Sequence, residues 1–193
     1  MTVTPLSAKP RPLVKEWTKD ELASLVTTKL KGRDFDRGRA LFAAANCFGC
    51  HRFANEGGSV GPDLTSLAGR FSALDILESV VEPNKVISDQ YAAVDVLTTD
   101  GRIVTGRIVN HGKGRLVINT NMLDPNANET INSAKIDELT TSPVSMMPAG
   151  LLNTLNEDEV LDLMAFLLSR GNRNESMFGT SPAKTTPPQQ RGN

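Results

Sequence analysis

The chain has 193 residues, of which 39% are hydrophobic and 22% charged, a composition that suits one ordinary globular domain with short additions. The formal net charge is −1, but residues 34–170 carry eleven basic against eighteen acidic side chains, which argues against the basic face of a nucleic-acid-binding protein. No apolar run reaches the length of a membrane-spanning helix.

The first 33 residues predict an N-terminal arm with one short helix. Residues 1–16 are rich in Pro and Lys, which is typical of a linker, and they lack the apolar run of a signal peptide. Thr18 and Glu21 have the spacing of a capping box, which predicts a helix over residues 18–30.

A second helix is predicted over residues 34–45, and it leads directly into the stretch NCFGCH at positions 46–51. This stretch holds both cysteines of the chain, Cys47 and Cys50, followed by His51. Two cysteines in one motif do not form a disulfide framework, and with only two histidines in the sequence we do not expect a structural zinc site.

Three interpretations fit this Cys-x-x-Cys-His motif. In covalent haem attachment, each thiol adds to a haem vinyl group and the imidazole of the next residue binds the iron. A thioredoxin-like redox pair has the same cysteine spacing but follows a strand, whereas a helix is predicted before Cys47. The third interpretation is two ordinary cysteines that lie near a histidine by chance.

A loop and another helix are predicted after the motif. Residues 52–70 are rich in Gly, which predicts a loop. Ser72 and Asp75 repeat the capping-box spacing and predict a helix that ends at Glu82, because the residue before a proline disfavours the helical conformation.

The middle of the chain predicts a compact antiparallel sheet over residues 91–140. Segments rich in Val, Ile and Thr alternate with turn signals, of which Asp100-Gly101 is a strong hairpin signal. The predicted strands cover residues 91–98, 102–109, 115–120, 129–132 and 134–139.

The helical pattern returns near the end of the chain. Asn156 and Glu159 have capping-box spacing, and an apolar helix is predicted over residues 157–170, with Gly171 as its C-terminal cap. The polar residues 171–193 predict a disordered tail.

A haem iron bound by His51 needs a sixth ligand, and thioether sulfur is one of the side-chain donors that suit it. Met164 lies on the apolar side of the last helix, where core packing explains it. Met146 and Met147 precede Pro148 in a non-helical segment from which a side chain can reach back across a flat cofactor. The remaining candidates are Met122, Met177 and His111.

Several stretches together resemble a known family. ALFAAANCFGCH, VGPDLT, AGRF, SMMPAGLL and the apolar last helix are similar to class I c-type cytochromes, and more closely to a haem-binding cytochrome domain of planctomycetes and verrucomicrobia. The resemblance covers residues 34–170. It implies a mainly α cytochrome c fold with an inserted small antiparallel β-sheet, α+β overall, in which the insert 91–140 separates the haem-binding parts 34–90 and 141–170.

The resemblance also implies roles for individual residues. Cys47 and Cys50 would carry the two thioethers of one haem c, and His51 would be the proximal iron ligand. The carbonyl of Pro62 would accept a hydrogen bond from the other nitrogen of that histidine. Arg70 would pair with a haem propionate.

The methionine that precedes the proline is the sixth ligand in such cytochromes, which implies iron ligation by Met147, with Met146 packed nearby. Histidine and methionine together would leave no open position on the iron, so the implied function is electron transfer between a dehydrogenase and an acceptor rather than enzymatic catalysis. The alternative is a haem enzyme or gas-sensing domain with a displaceable sixth ligand.

Partners and compartment follow from the same resemblance. The expected partner is a redox protein, either a dehydrogenase or a terminal acceptor, and the sheet could also support a homodimer. We expect neither nucleic acid nor a membrane span. Because haem is attached covalently outside the bacterial cytoplasm, the expected location is the periplasm or an equivalent compartment.

Overall fold

A computed structural model describes residues 11–179 of the chain. Within them, no helix is both long enough and apolar enough to cross a membrane. The α-helices are α1 (Lys19–Thr28), α2 (Phe35–Ala44), α3 (Cys47–Cys50), α4 (Ala73–Val81) and α5 (Glu157–Leu168), and single 3-10 turns cover Leu67–Gly69 and Ser133–Lys135.

Three of the helices begin where the capping pattern predicts. The boxes of Thr18, Ser72 and Asn156 all form, each with an acidic residue three positions later that bonds back to the cap. The helix ends are less regular than their starts. Helix α5 stops at Leu168, and both Arg170 and Gly171 adopt positive φ, so the chain turns away there as the glycine signal predicts.

Helices α2 and α5 cross closely at Gly38. A Cβ placed on Gly38 would lie 2.7 Å from the Cβ of Phe166 and closer still to the carbonyl oxygen of Asp162. Around this crossing, Phe35 and Phe42 of α2 pack against Phe166, with ring centroids 5.2 and 5.9 Å away. The glycine therefore lets two backbones approach and bring their aromatic side chains together.

Residues 11–33, predicted as an N-terminal arm with one short helix, contain that helix and pack against the helical core. Leu22 and Val26 of α1 are fully buried in the same cluster as α5. The indole Nε1–H of Trp17 donates to the carbonyl of Leu155 at 3.0 Å, and Arg11 forms an ion pair with Glu159 at 2.7 Å. Local sequence patterns could not predict this packing, because the contacts join residues more than a hundred positions apart. Residues 1–10 lie outside the described residues.

The prediction of a disordered tail is wrong for residues 171–179. Phe178 forms a bridge with Arg33, and its ring lies 5.2 Å from the ring of Phe35. The ion pair between Arg173 and Asp36 at 2.8 Å also holds this segment against α2. Residues 180–193 of the predicted tail lie outside the described residues.

An antiparallel sheet lies between α4 and α5 in the chain. Its strands are β3 (Val94–Thr98), β4 (Ile103–Gly112), β5 (Arg115–Asn119), β6 (Asn128–Asn132) and β7 (Ile136–Thr141), in the order β6-β5-β4-β3-β7. The five predicted strands are confirmed with shifted ends. Strand β4 runs three residues further than predicted, so His111 lies within a strand. A short ribbon, β1 (Arg52–Phe53) and β2 (Glu56–Gly57), was not predicted.

The sheet has a core of its own. Alternate residues of its strands are buried together and share no member with the helical core. These buried residues are Val96, Val104, Leu116, Ile118 and Ile131. The chain is therefore α+β, with one helical core and one sheet core.

Candidate functional site

The Cys-x-x-Cys-His motif forms one tight helical turn. Asn46 takes a left-handed conformation with φ 60°, which ends α2 and redirects the chain into α3. The amide of His51 donates to the carbonyl of Cys47 at 2.8 Å and closes the turn. Cys47, Cys50 and His51 are thereby held on one short, internally bonded segment.

The two cysteines are free and half-buried. Burial raises the pKa of the Cys47 thiol to about 12 and also raises the pKa of Cys50, so both are protonated at neutral pH. A thioredoxin-like pair needs a thiolate of lowered pKa, and α2 rather than a strand precedes the motif. The raised pKa values and the helix before the motif both oppose the redox-pair interpretation.

The imidazole of His51 is oriented by a hydrogen bond to the loop that follows the motif. Its Nδ1 lies 2.9 Å from the carbonyl oxygen of Pro62, and because a carbonyl can only accept, Nδ1 carries the proton. Burial lowers the pKa of His51, although the contact with Pro62 opposes this, so the imidazole is neutral at pH 7. The lone pair is then on Nε2, the nitrogen left available to bind a metal.

The loop of residues 57–62, here the glycine loop, lies directly against the motif. The amide of Gly58 donates to Phe48 and the amide of Gly61 donates to Cys50, both at 2.8 Å. A Cβ on Gly61 would lie 2.8 Å from Cε1 of His51, so only glycine allows this approach. The sequence analysis treated the loop only as Gly-rich, although clustered glycines next to a motif are the available signal for close backbone contact.

Arg70 is not joined to this group of residues. Its side chain is exposed, and its guanidinium carbon lies 5.7 Å from the centroid of the Phe71 ring. Within residues 11–179, its side chain makes no hydrogen bond to the motif or to the glycine loop. The propionate role implied by the resemblance stays a prediction.

The segment that carries Met147 is fixed by two polar contacts. The amide of Met147 donates to Oγ of Ser145 at 3.1 Å, and the amide of Ser145 donates to Oδ1 of Asn84 at 2.8 Å. Met146 and Met147 are both half-buried. Asn84 follows α4, so the methionine segment is tied to the end of that helix.

The other candidate ligands have different surroundings. Met164 is fully buried in the helical core, which confirms the packing interpretation. His111 is exposed on β4. Among residues 11–179, no group of three or more His, Cys, Asp or Glu side chains could hold a metal ion directly.

Comparison with known families adds one finding. Residues 35–93 match the family model described as Cytochrome c. The match includes the motif, the glycine loop and α4, and it ends immediately before β3. The match supports a haem-binding c-type cytochrome, and domains of this family are generally electron carriers. No curated protein matches the chain.

Proposed function

We propose that this protein is an electron-transfer cytochrome in which one haem c is attached through Cys47 and Cys50 and ligated by His51 and Met147. The observation that carries the proposal is the Nδ1–H bond from His51 to Pro62, which leaves a neutral, oriented Nε2 beside two free thiols. When bound, haem supplies one-electron chemistry at its iron.

Two large apolar side chains on segments next to α4 and the methionine pair are exposed. Phe71 and Val144 are 47% and 55% exposed although their segments adjoin α4 and the methionine pair. Exposed apolar side chains cost roughly 25 cal/mol for each Å² left in water. The proposal predicts that haem covers part of this surface. The approach of the glycine loop to the edge of His51 also keeps other ligands from that side of the imidazole.

A methionine ligand would close the iron to substrates. The bonds from Met147 to Ser145 and from Ser145 to Asn84 support Met147 as that ligand, because they hold its backbone in place. Pro148 limits the same backbone further. His51 and Met147 would hold the iron from the protein side, and a haem so ligated would supply electron transfer and leave no position for chemistry on a substrate.

The sheet and the biological setting belong to the same proposal. Residues 91–140 form an insertion between the haem-binding parts 34–90 and 141–170, and the separate core of the sheet supports this division. The partner is a redox protein, a dehydrogenase or a terminal acceptor, met in the periplasm or an equivalent compartment. Homodimer formation through the sheet is a further element of the proposal.

Haem attachment is tested by producing the chain with haem-maturation machinery in a competent periplasm. We expect a haem-stained band on a denaturing gel and sharp reduced-minus-oxidised absorption bands. The double variant Cys47→Ala, Cys50→Ala should lose the stain and keep its helical circular dichroism. A colourless wild-type protein with two free thiols would refute the proposal.

Axial ligation is tested with a matched pair of adjacent variants. Met147→Ala should convert a haem with a six-coordinate low-spin spectrum to one that binds carbon monoxide rapidly. Met146→Ala should leave the spectrum unchanged. Rapid, stoichiometric carbon monoxide binding by the unmodified ferrous protein would instead favour the haem enzyme or gas sensor with a displaceable ligand.

A further inference from the structure

Arg107 reaches out of the sheet to the glycine loop. It lies on β4 and is half-buried. Its Nη1 donates to the carbonyl of Val60 at 2.9 Å, its Nη2 donates to the carbonyl of Gln90 at 3.2 Å, and its guanidinium carbon lies 5.3 Å from the ring centroid of Tyr91. The side chain thus joins the glycine loop to the segment that leads into β3.

This arrangement is unlike that of Arg102, which lies in the turn between β3 and β4. Arg102 pairs with the carboxylates of Asp100 and Glu129. Within residues 11–179, Arg107 forms no salt bridge, and its hydrogen bonds all go to backbone carbonyls. A guanidinium presents its donors in a rigid planar fork, so it fixes the relative position of two backbone segments, which a flexible ammonium does poorly.

One residue, Gly61, separates the position that Arg107 contacts from the position that His51 contacts. Val60 accepts from Arg107, the amide of Gly61 donates to Cys50, and the carbonyl of Pro62 lies 2.9 Å from Nδ1 of His51. Gly61 lies so close to the imidazole that an added Cβ would be 2.9 Å from Nδ1 of His51. Any displacement of the loop therefore changes the length or angle of the bond to His51.

We infer that Arg107 is a positioning residue through which the sheet holds the Pro62 carbonyl against His51. The inference rests on the proposed function where it concerns iron. The bond from Nδ1–H to a carbonyl makes an imidazole a better donor, which favours the ferric state and lowers the reduction potential. A looser loop weakens this bond, so the potential should rise.

Two variants of Arg107 separate the effect of the loop's position on the reduction potential from the effect of the arginine's charge. Arg107→Lys keeps the positive charge but loses the fork, so its reduction potential should shift upward. Arg107→Ala also removes a cation, which acts in the opposite direction by favouring the ferric form, so its potential should lie below that of the lysine variant. Arg102→Ala is the matched control, because it removes an arginine of the β3–β4 turn that pairs with Asp100 and Glu129 and not with the glycine loop.

A second readout does not depend on haem. Hydrogen exchange of the Gly61 amide, measured by NMR on the haem-free and haem-loaded proteins, should accelerate about tenfold in both Arg107 variants, the change expected when one hydrogen bond that holds the loop is lost. Exchange should not change in Arg102→Ala. Circular dichroism and the unfolding midpoint report whether each variant keeps its fold.

The outcomes distinguish the inference from the proposed function. If the wild-type protein carries no haem, the proposed function fails, but exchange at Gly61 still tests the contact. If haem is bound and Arg107→Lys leaves both the potential and the exchange rate unchanged, the inference is overturned. A downward shift in the lysine variant with unchanged exchange also overturns it.

Discussion

Replacing Gly38 by alanine should destabilise the protein, although alanine is the better helix former. In an exposed helix this change would gain about 1 kcal/mol. Here the added Cβ would lie 2.7 Å from the Cβ of Phe166 and even closer to the carbonyl oxygen of Asp162. Neither obstacle can rotate away, since one is a backbone atom and the other is the first atom of a side chain.

The magnitude follows from the opposing contributions. Relieving these contacts requires α2 and α5 to move apart, and inserting one methyl group into a packed site costs about 1–3 kcal/mol. The upper end of this range applies because the contacts are rigid. After the gain in helix propensity is subtracted, a net loss of about 2 kcal/mol in the free energy of unfolding remains.

Urea denaturation followed by circular dichroism measures this loss, with Gly112→Ala as the control. Gly112 has open space around its position and no positive φ, so that variant should stay within about 0.5 kcal/mol of the parent. A Gly38→Ala variant as stable as the parent, with an unchanged denaturant slope, would show that α2 and α5 do not cross as closely as described.

Two further predictions concern charged groups. Asp162→Ala should lower the free energy of unfolding in urea by about 2–3 kcal/mol, because its fully buried carboxylate pairs with the partly exposed Arg37. An unchanged unfolding midpoint would contradict this prediction. The contact with Lys15 lowers the pKa of Glu21 from 4.5 to about 2. The stabilising effect of the ionised Glu21 is therefore present above pH 4.5 and lost as the pH falls toward 2. Glu21→Gln should flatten the decline of Tm over that range. An equally steep decline in the variant would refute this prediction.

The parts of the fold that the sequence predicts are those determined by near neighbours. The boxes at Thr18, Ser72 and Asn156 each involve residues three positions apart, so the helix starts could be read directly. The alternation of Leu116 and Ile118 similarly marks one buried side of β5.

What the sequence could not provide were contacts between distant segments. Nothing local distinguishes Trp17 or Phe178 from residues of a solvated arm or tail, and yet both are held by residues far along the chain. Arg107 is equally inconspicuous among the basic residues of the strands. Its contact with Val60 depends on how the sheet is placed against the glycine loop. The contact between His51 and Pro62 was expected only because the family resemblance supplied it.

The way the two cores meet bears on what the sheet does. The cores share no buried residue, yet two contacts between sheet and helical part fall on the candidate site. Arg107 bonds to the glycine loop, and the loop between β5 and β6 brings Leu123 within 3.2 Å of where a Cβ on Gly49 would lie. Both contacts fall on segments that hold residues of the candidate site. We therefore expect a mutation that displaces β4 or the loop between β5 and β6 to perturb the His51 segment more than the crossing of α2 and α5.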